Sequence, residues 1–147
     1  MINEIISGIA KAIYREFGSD YHIYKEDVEQ GIKEPCFMVF SADNNQEQFL
    51  NDRYFKTNLF TVIYYPSDKS NKLAEINDVN ERLLECLEYI SIESSNYQLR
   101  GKNMNGKEID DVLHFTINYD LFVIKKKEKE DIMIDELVQR QPEVKGE

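Results

Sequence analysis

The sequence contains few of the residues from which catalytic and metal sites are built. Its 147 residues include two histidines, two cysteines and six glycines, and no tryptophan. His22 and His114 are far apart, and no closely spaced pair of cysteines or histidines offers the ligands of a zinc site. A glycine-rich loop of the phosphate-binding type is missing as well. We therefore predict a protein with no catalytic residue, no cofactor and no bound metal.

The two cysteines are fifty residues apart, Cys36 in an apolar run and Cys86 in a helical pattern. Neither has the local signature of a catalytic nucleophile. This arrangement favours two reduced thiols in or near the core.

Two acidic segments resemble parts of ion-binding sites. Asp110 and Asp111 are adjacent in a predicted strand, so their side chains point to opposite faces and cannot easily share one ion. Residues 43–45, Asp-Asn-Asn, lack the glycine and the bidentate glutamate of a calcium loop. Both observations agree with the prediction that no metal is bound.

Long apolar runs are absent too. None approaches the roughly 18 residues that a membrane-spanning helix needs. Residues 1–12 are too few and too polar for a signal peptide, and they lack its basic start. We expect a soluble chain, made and kept in the cytoplasm, with no membrane partner.

Basic residues are outnumbered, 18 to 28, which gives a formal net charge of −10. Residues 125–147 hold six basic and seven acidic residues, so almost all of the excess lies in residues 1–124. A body this acidic repels phosphate backbones, so ordinary nucleic-acid binding is disfavoured. Two roles stay open, a nucleic-acid mimic and a wall along which nucleic acid slides without adhering.

Hydrophobic periodicity predicts two amphipathic helices. The first carries apolar residues at spacings of three and four from Ile2 to Phe17, and Gly18 ends it. The second, residues 71–90, has leucine and isoleucine on one side and acidic residues on the other. That acidic stripe is either a solvated face or a wall that faces a charged partner.

Strands are predicted over residues 21–25, 36–42, 53–65, 97–104 and 109–124. Asn105 and Gly106 give a strong hairpin signal between the last two. Residues 26–34 and 43–51 are polar and are predicted to be a loop and a turn. The resulting order predicts an α+β domain with a mostly antiparallel mixed sheet of about five strands, on which two main helices pack.

The segment from Val112 to Ile124 is the most regular of these strands. Its alternation places one set on a core face: Leu113, Phe115, Ile117, Tyr119, Leu121 and Val123. The other set forms a polar face: His114, Thr116, Asn118 and Asp120. Hydrogen-bonding groups without a catalytic set point to a protein that works by presenting surfaces.

We predict one domain over residues 1–124 and a charged C-terminal arm over residues 125–147. The arm contains one apolar patch: Ile132, Met133, Ile134, Leu137 and Val138. Two interpretations stay open, a segment that orders only against a partner and a segment with no partner.

Several blocks of the chain resemble the tail terminator family of contractile-tailed phages and phage-like particles from Gram-positive bacteria. The blocks are Val28-Glu29-Gln30-Gly31 with Glu34-Pro35-Cys36-Phe37; Arg53-Tyr54-Phe55 with Asn58, Phe60 and Tyr64-Tyr65-Pro66; Asn77-Asp78-Val79-Asn80; and Asp111-Val112-Leu113-His114-Phe115 with Asn118-Tyr119. Together they span nearly all of the predicted domain. Their order along the chain carries the resemblance, rather than any one of them.

The resemblance implies a virion structural protein that is not an enzyme. Such subunits assemble in the host cytoplasm as a ring, usually a homohexamer, on the head-proximal end of the tail tube. The ring stops tube growth, joins the tail to the head connector and can meet the sheath, and DNA passes through its lumen without specific binding.

On this interpretation, two sets of residues are candidates for contact. A subunit or tube interface is predicted for Arg53, Tyr54, Lys56, His114, Asn118 and Asp120. Acidic residues facing the lumen are predicted to be Glu75, Asp78, Glu85 and Glu88. An alternative from another class is a small acidic inhibitor or immunity protein that binds a basic enzyme.

Overall fold

The computed structural model describes residues 1–26, 30–67 and 70–125. Its elements run in this order: α1 (Ile2–Phe17), β1 (His22–Tyr24), β2 (Cys36–Leu50), β3 (Arg53–Tyr65), α2 (Lys72–Cys86), β4 (Tyr89–Ile92), β5 (Tyr97–Arg100), β6 (Lys102–Ile109), β7 (Val112–Asn118) and β8 (Leu121–Ile124). The apolar patch at 132–138, and Val28 and Glu29 of the first family-like block, lie outside the described residues.

The strands form a six-stranded sheet and a separate pair. In the large sheet the order is β1-β2-β3-β7-β6, with β8 also paired to β3, while β4 pairs with β5. β1 runs parallel to β2, and β7 and β8 both run antiparallel to β3. The predicted α+β class with a mostly antiparallel mixed sheet is confirmed.

The chain divides into two compact units, which are described separately. The helical unit comprises 1–43 and 58–119, and the strand unit comprises 44–57 and, within the described chain, 120–125. Both helices belong to the helical unit, whereas the described residues of the strand unit lie in strands and turns.

One face of the sheet packs against the helices in the helical unit. The alternation predicted over 112–124 is confirmed in its first part, because Leu113, Phe115, Ile117 and Tyr119 are all almost completely buried. Leu121 and Val123, predicted for the same core face, are only partly buried and belong to the strand unit. Helix α1 contributes Ile5, Ile9 and Ile13 to the same core, and α2 contributes Ile76, Val79 and Leu83. Burial of each such side chain contributes roughly 1.5–3 kcal/mol before conformational entropy opposes it.

Helix α1 ends where the sequence predicts, and α2 ends earlier. Gly18 has a φ of 90°, and its N–H donates to the carbonyl of Tyr14 at 2.9 Å. The predicted end of α2 at residue 90 is wrong, because the helix stops at Cys86 and Tyr89–Ile92 form β4. Ile90 is buried as the apolar pattern requires, but from a strand that pairs it with Leu99.

The hairpin predicted at Asn105 and Gly106 is wrong, because both residues lie inside β6. The turn falls at Asp110 and Asp111, whose φ angles are 53° and 63°. Two consecutive positive φ angles suit a two-residue hairpin turn, and aspartate tolerates that conformation. Gly106 meets a different need, since a Cβ there would lie 1.9 Å from Oδ1 of Asn80 on α2.

Two strand boundaries also differ from the prediction. Residues 43–50 are a strand rather than a turn, and every one of them is exposed. The predicted strand over 109–124 is interrupted after Asn118. Asn58 accounts for the interruption, because its backbone carbonyl accepts from the Tyr119 N–H at 2.9 Å while its side-chain amide donates to the Tyr119 carbonyl at 3.0 Å.

Candidate functional site

The six residues predicted to form an interface are divided between the two units. Arg53, Tyr54, Lys56 and Asp120 belong to the strand unit, whereas His114 and Asn118 belong to the helical unit. The structure therefore offers two candidate surfaces, and the one in the strand unit is the more unusual.

The strand unit has two faces, set by the pairing of β3 with β8. Arg53 pairs with Ile124 and Phe55 with Phe122, so these four side chains share one face. The intervening pairs, Tyr54 with Val123 and Lys56 with Leu121, belong to the opposite face. Arg53 is thus on the other side of the strand from Tyr54 and Lys56, so these three predicted residues do not form one contact surface.

The first face carries a largely exposed cluster built around three phenylalanines, which we call the aromatic patch. Its members are Phe49, Arg53, Phe55, Phe122 and Ile124. The ring centre of Phe122 lies 5.6 Å from that of Phe49 and 4.8 Å from that of Phe55. Phe49 and Phe122 are 62% and 61% exposed, and Ile124 is 57% exposed. Contiguous apolar side chains left in water mark a surface that binds something.

Sequence reasoning missed Phe49, Phe55 and Phe122 as site residues. Phe49 was missed because 43–51 is predicted to be a turn, and a turn has no periodicity from which to infer the face on which a side chain lies. Phe122 and Ile124 carried a usable signal, since both interrupt the polar face of the predicted strand. Apolar residues on both faces over 121–124 indicate a strand whose second face is meant to be covered.

The second face of the strand unit is more polar. Nζ of Lys125 lies 4.7 Å from the ring centre of Tyr54, a cation–π contact. The Lys125 N–H donates to the carbonyl of Asp52 at 2.8 Å, which fixes the end of β8 beside the turn between β2 and β3.

His114 and Asn118 lie on the face of β7 that points away from the buried core. By register His114 is opposite Ile63 and Asn118 opposite Leu59, and all four side chains are partly exposed. The Asn118 side-chain amide donates to the carbonyl of Asn58 at 3.5 Å. This face is mixed in polarity, so it is a less distinctive surface than the aromatic patch.

The acidic candidates, three on α2 and Glu88 just after it, differ in the hydrogen bonds and ion pairs they make. Glu75 accepts from the hydroxyl of Tyr64, from the Ser67 N–H at 2.8 Å and from Ser67 Oγ at 2.7 Å, so it ties the end of β3 to α2. Asp78 lies 3.7 Å from a guanidinium nitrogen of Arg82.

The remaining two acidic candidates flank a shallow groove. Glu88 lies 3.8 Å from Arg100, and Glu85 is exposed. Glu16 and Glu81 line the same groove, together with Arg82, whose Nε donates to Glu16 at 2.9 Å. Most of this acidic surface is therefore open to solvent, and Arg82 and Arg100 partly neutralise it.

The two thiols are as the sequence predicts. Cys36 is completely buried, Cys86 is partly buried, and neither forms a disulfide. Burial, with Glu34 nearby, raises the pKa of Cys36 to about 11, and burial raises the pKa of Cys86 to about 12. Raised pKa values keep thiols protonated, which is the opposite of what a nucleophile or metal ligand requires.

A search of the described ranges for metal sites finds no group of three His, Cys, Asp or Glu side chains that could hold an ion. Within the same ranges, neither helix is long and apolar enough to cross a membrane.

A family model described as phage tail terminator protein matches residues 4–131. The chain belongs to the phage tail terminator family. A search of curated proteins gives no significant match. The match includes residues of both units, so the aromatic patch lies inside the family domain. Tail terminators are structural proteins rather than enzymes, they reside in the virion tail, and they act together with other tail components.

Proposed function

We propose that this chain is the subunit of a ring that caps the head-proximal end of the tail tube. The ring stops tube growth and joins the tail to the head connector. Membership of the tail terminator family supports a role in the tail, and the aromatic patch is the observation that carries the proposal. A subunit that leaves a phenylalanine cluster in water is built to complete that surface in an assembly.

A ring of identical subunits needs two different surfaces on each copy. When one surface binds the other on the next copy, the contact is heterologous, and a rotation that closes gives a ring rather than a filament. The aromatic patch supplies one such surface. We propose a homohexamer in which Arg53, Tyr54, Lys56 and Asp120 of the strand unit contact the neighbour or the tube.

The subunits must bind one another, but the bore of the ring must not bind the DNA that passes through it. The outer surface of α2 carries Asp78 and Glu85, and Glu88 follows just after the helix ends. This acidic surface suits a wall that repels phosphate. We propose that this surface lines the lumen. Glu75 adds its charge from a partly buried position, and His114 and Asn118 are proposed for contact with a neighbouring subunit or with the tube.

Electron microscopy of the purified full-length chain, alone and with tail tubes, tests the proposal. We expect rings at one end of each tube, and tubes that stop elongating when the chain is added during assembly of tube protein. A monomeric acidic protein of similar net charge is the control. A chain that stays monomeric and leaves tube length unchanged would contradict the proposal.

A further inference from the structure

We propose that the aromatic patch binds residues 132–138 of a neighbouring copy of the same chain. The inference rests on the proposed ring and specifies the contact that holds it together. Three observations support it: the state of the patch, the place where the chain leaves it, and the chemistry of the sequence that follows.

The patch needs an apolar occupant. Phe49, Phe122 and Ile124 are each more than half exposed in a unit to which no described helix belongs. In the part of the chain that the structure describes, β3 is the one strand paired with β8, and the other edge of β8 has no strand beside it there. An exposed strand edge beside apolar side chains is the usual receptor for an added extended segment.

The chain leaves the described structure beside this patch. Lys125 is held by the carbonyl of Asp52, next to Arg53 and Ile124 of the patch. Residues 125–131 read Lys-Lys-Lys-Glu-Lys-Glu-Asp and are all charged, so they cannot fill an apolar surface. The following residues can: Ile132, Met133, Ile134, Leu137 and Val138.

Charge adds to this match. Arg53 is the only charged member of the patch, and Asp131, Asp135 and Glu136 flank or interrupt the apolar residues of the segment. An apolar segment with carboxylates at its borders complements an aromatic surface with an arginine at its rim.

The source of the segment is the neighbour rather than the same chain. To reach its own patch, the segment would have to reverse direction within the six residues 126–131 that follow Lys125. Donation to the next copy requires no such reversal, and it gives every subunit one segment and one patch, which is the pairing that a closed ring satisfies completely.

Photocrosslinking of the full-length chain tests both the contact and its source. Phe122 is replaced by the photoreactive benzoylphenylalanine, and heavy-isotope and light-isotope chains are mixed before assembly. We expect cross-links from position 122 to residues 132–138, including pairs that join a heavy peptide to a light one. The same probe at Tyr97, which is 66% exposed in the helical unit, should give no such links.

Two results would overturn the inference. Cross-links to 132–138 that never mix isotopes would assign the segment to its own patch, and links that avoid 132–138 would assign the patch to another partner.

Paired variants separate this contact from the function. Phe122→Ser and Ile134→Asp should each raise the protein concentration needed for ring formation about tenfold or more, as expected for a central apolar contact. Tyr97→Ser and a truncation of residues 139–147 are the matched controls and should leave ring formation unchanged. Rings that survive Phe122→Ser and Ile134→Asp would contradict the inference and leave the proposed function standing, whereas a wild-type chain that never assembles would contradict both.

Discussion

Phenylalanine has opposite environments in the two units of this chain. Phe37, Phe60 and Phe115 of the helical unit are completely buried, whereas Phe49 and Phe122 of the strand unit are more than half exposed. Both units use the same side chain on the same kind of strand. What differs is the second layer, because helices cover the core face of the sheet in the helical unit and no described helix belongs to the strand unit. The helical unit is completed by folding, whereas the strand unit, on our proposal, is completed by association.

The sharpest test of this comparison removes one phenylalanine side chain from each unit. Phe115→Ala should lower the free energy of unfolding of the monomer by about 3–5 kcal/mol, because it leaves a cavity in the core. Phe122→Ala should change the free energy of unfolding by less than about 0.5 kcal/mol, since the Phe122 side chain is mostly exposed to water. Urea unfolding at low protein concentration measures both. Equal losses in the two variants would mean that the strand unit has a core of its own.

A second test examines the close approach of Gly106 to Asn80 in the helical unit. Gly106→Ala should cost about 1–3 kcal/mol of stability, because the new methyl group would overlap the side chain of Asn80. The double variant with Asn80→Ala should recover much of that loss, since the overlap is then removed. If the double variant is no more stable than Gly106→Ala, the loss comes from the backbone of β6 instead.

A third test compares two tyrosine hydroxyls. Tyr119 donates its hydroxyl to the Leu87 carbonyl at 2.5 Å, whereas Tyr97 is exposed. Tyr119→Phe should cost about 1–2 kcal/mol because a buried carbonyl loses its donor, and Tyr97→Phe should cost almost nothing. Thermal unfolding of the two variants side by side checks the difference.

The smallest expected effect concerns the thiols. The pKa values of Cys36 and Cys86 are raised to about 11 and about 12 in the folded chain, against about 8.5 for a free thiol. Their contribution to stability is therefore present below about pH 8.5 and is lost as the pH rises toward the folded values. Alkylation of the folded protein should be slow at neutral pH and should speed up on unfolding. Rapid alkylation of folded Cys36 would contradict its burial.

Periodicity in the sequence identified both helices and the core face of β7, because burial on one face of an element leaves a regular apolar pattern. Periodicity failed where the same sequence pattern fits two different local structures. Ile90 is buried whether it ends a helix or begins a strand, and Gly106 suits a turn as well as close packing against Asn80. Tertiary contacts decided both cases, and a single sequence does not display them.

The candidate surface was only half predictable for a related reason. Arg53 was identified from its residue type, which is frequent in interfaces. Phe49 was not, because its significance depends on the neighbouring strand that brings it to Phe122. An exposed aromatic cluster is a property of register and facing, and these emerge only when the strands are paired.

The exposed phenylalanines also set a condition on how the protein can be stored before it is used. A free subunit with such a surface tends to aggregate, and its net charge of −10 provides the repulsion that keeps copies apart. Added salt screens that repulsion without weakening apolar attraction. Concentrated solutions should therefore become turbid as ionic strength rises, because the net negative charge of the chain is what opposes its aggregation.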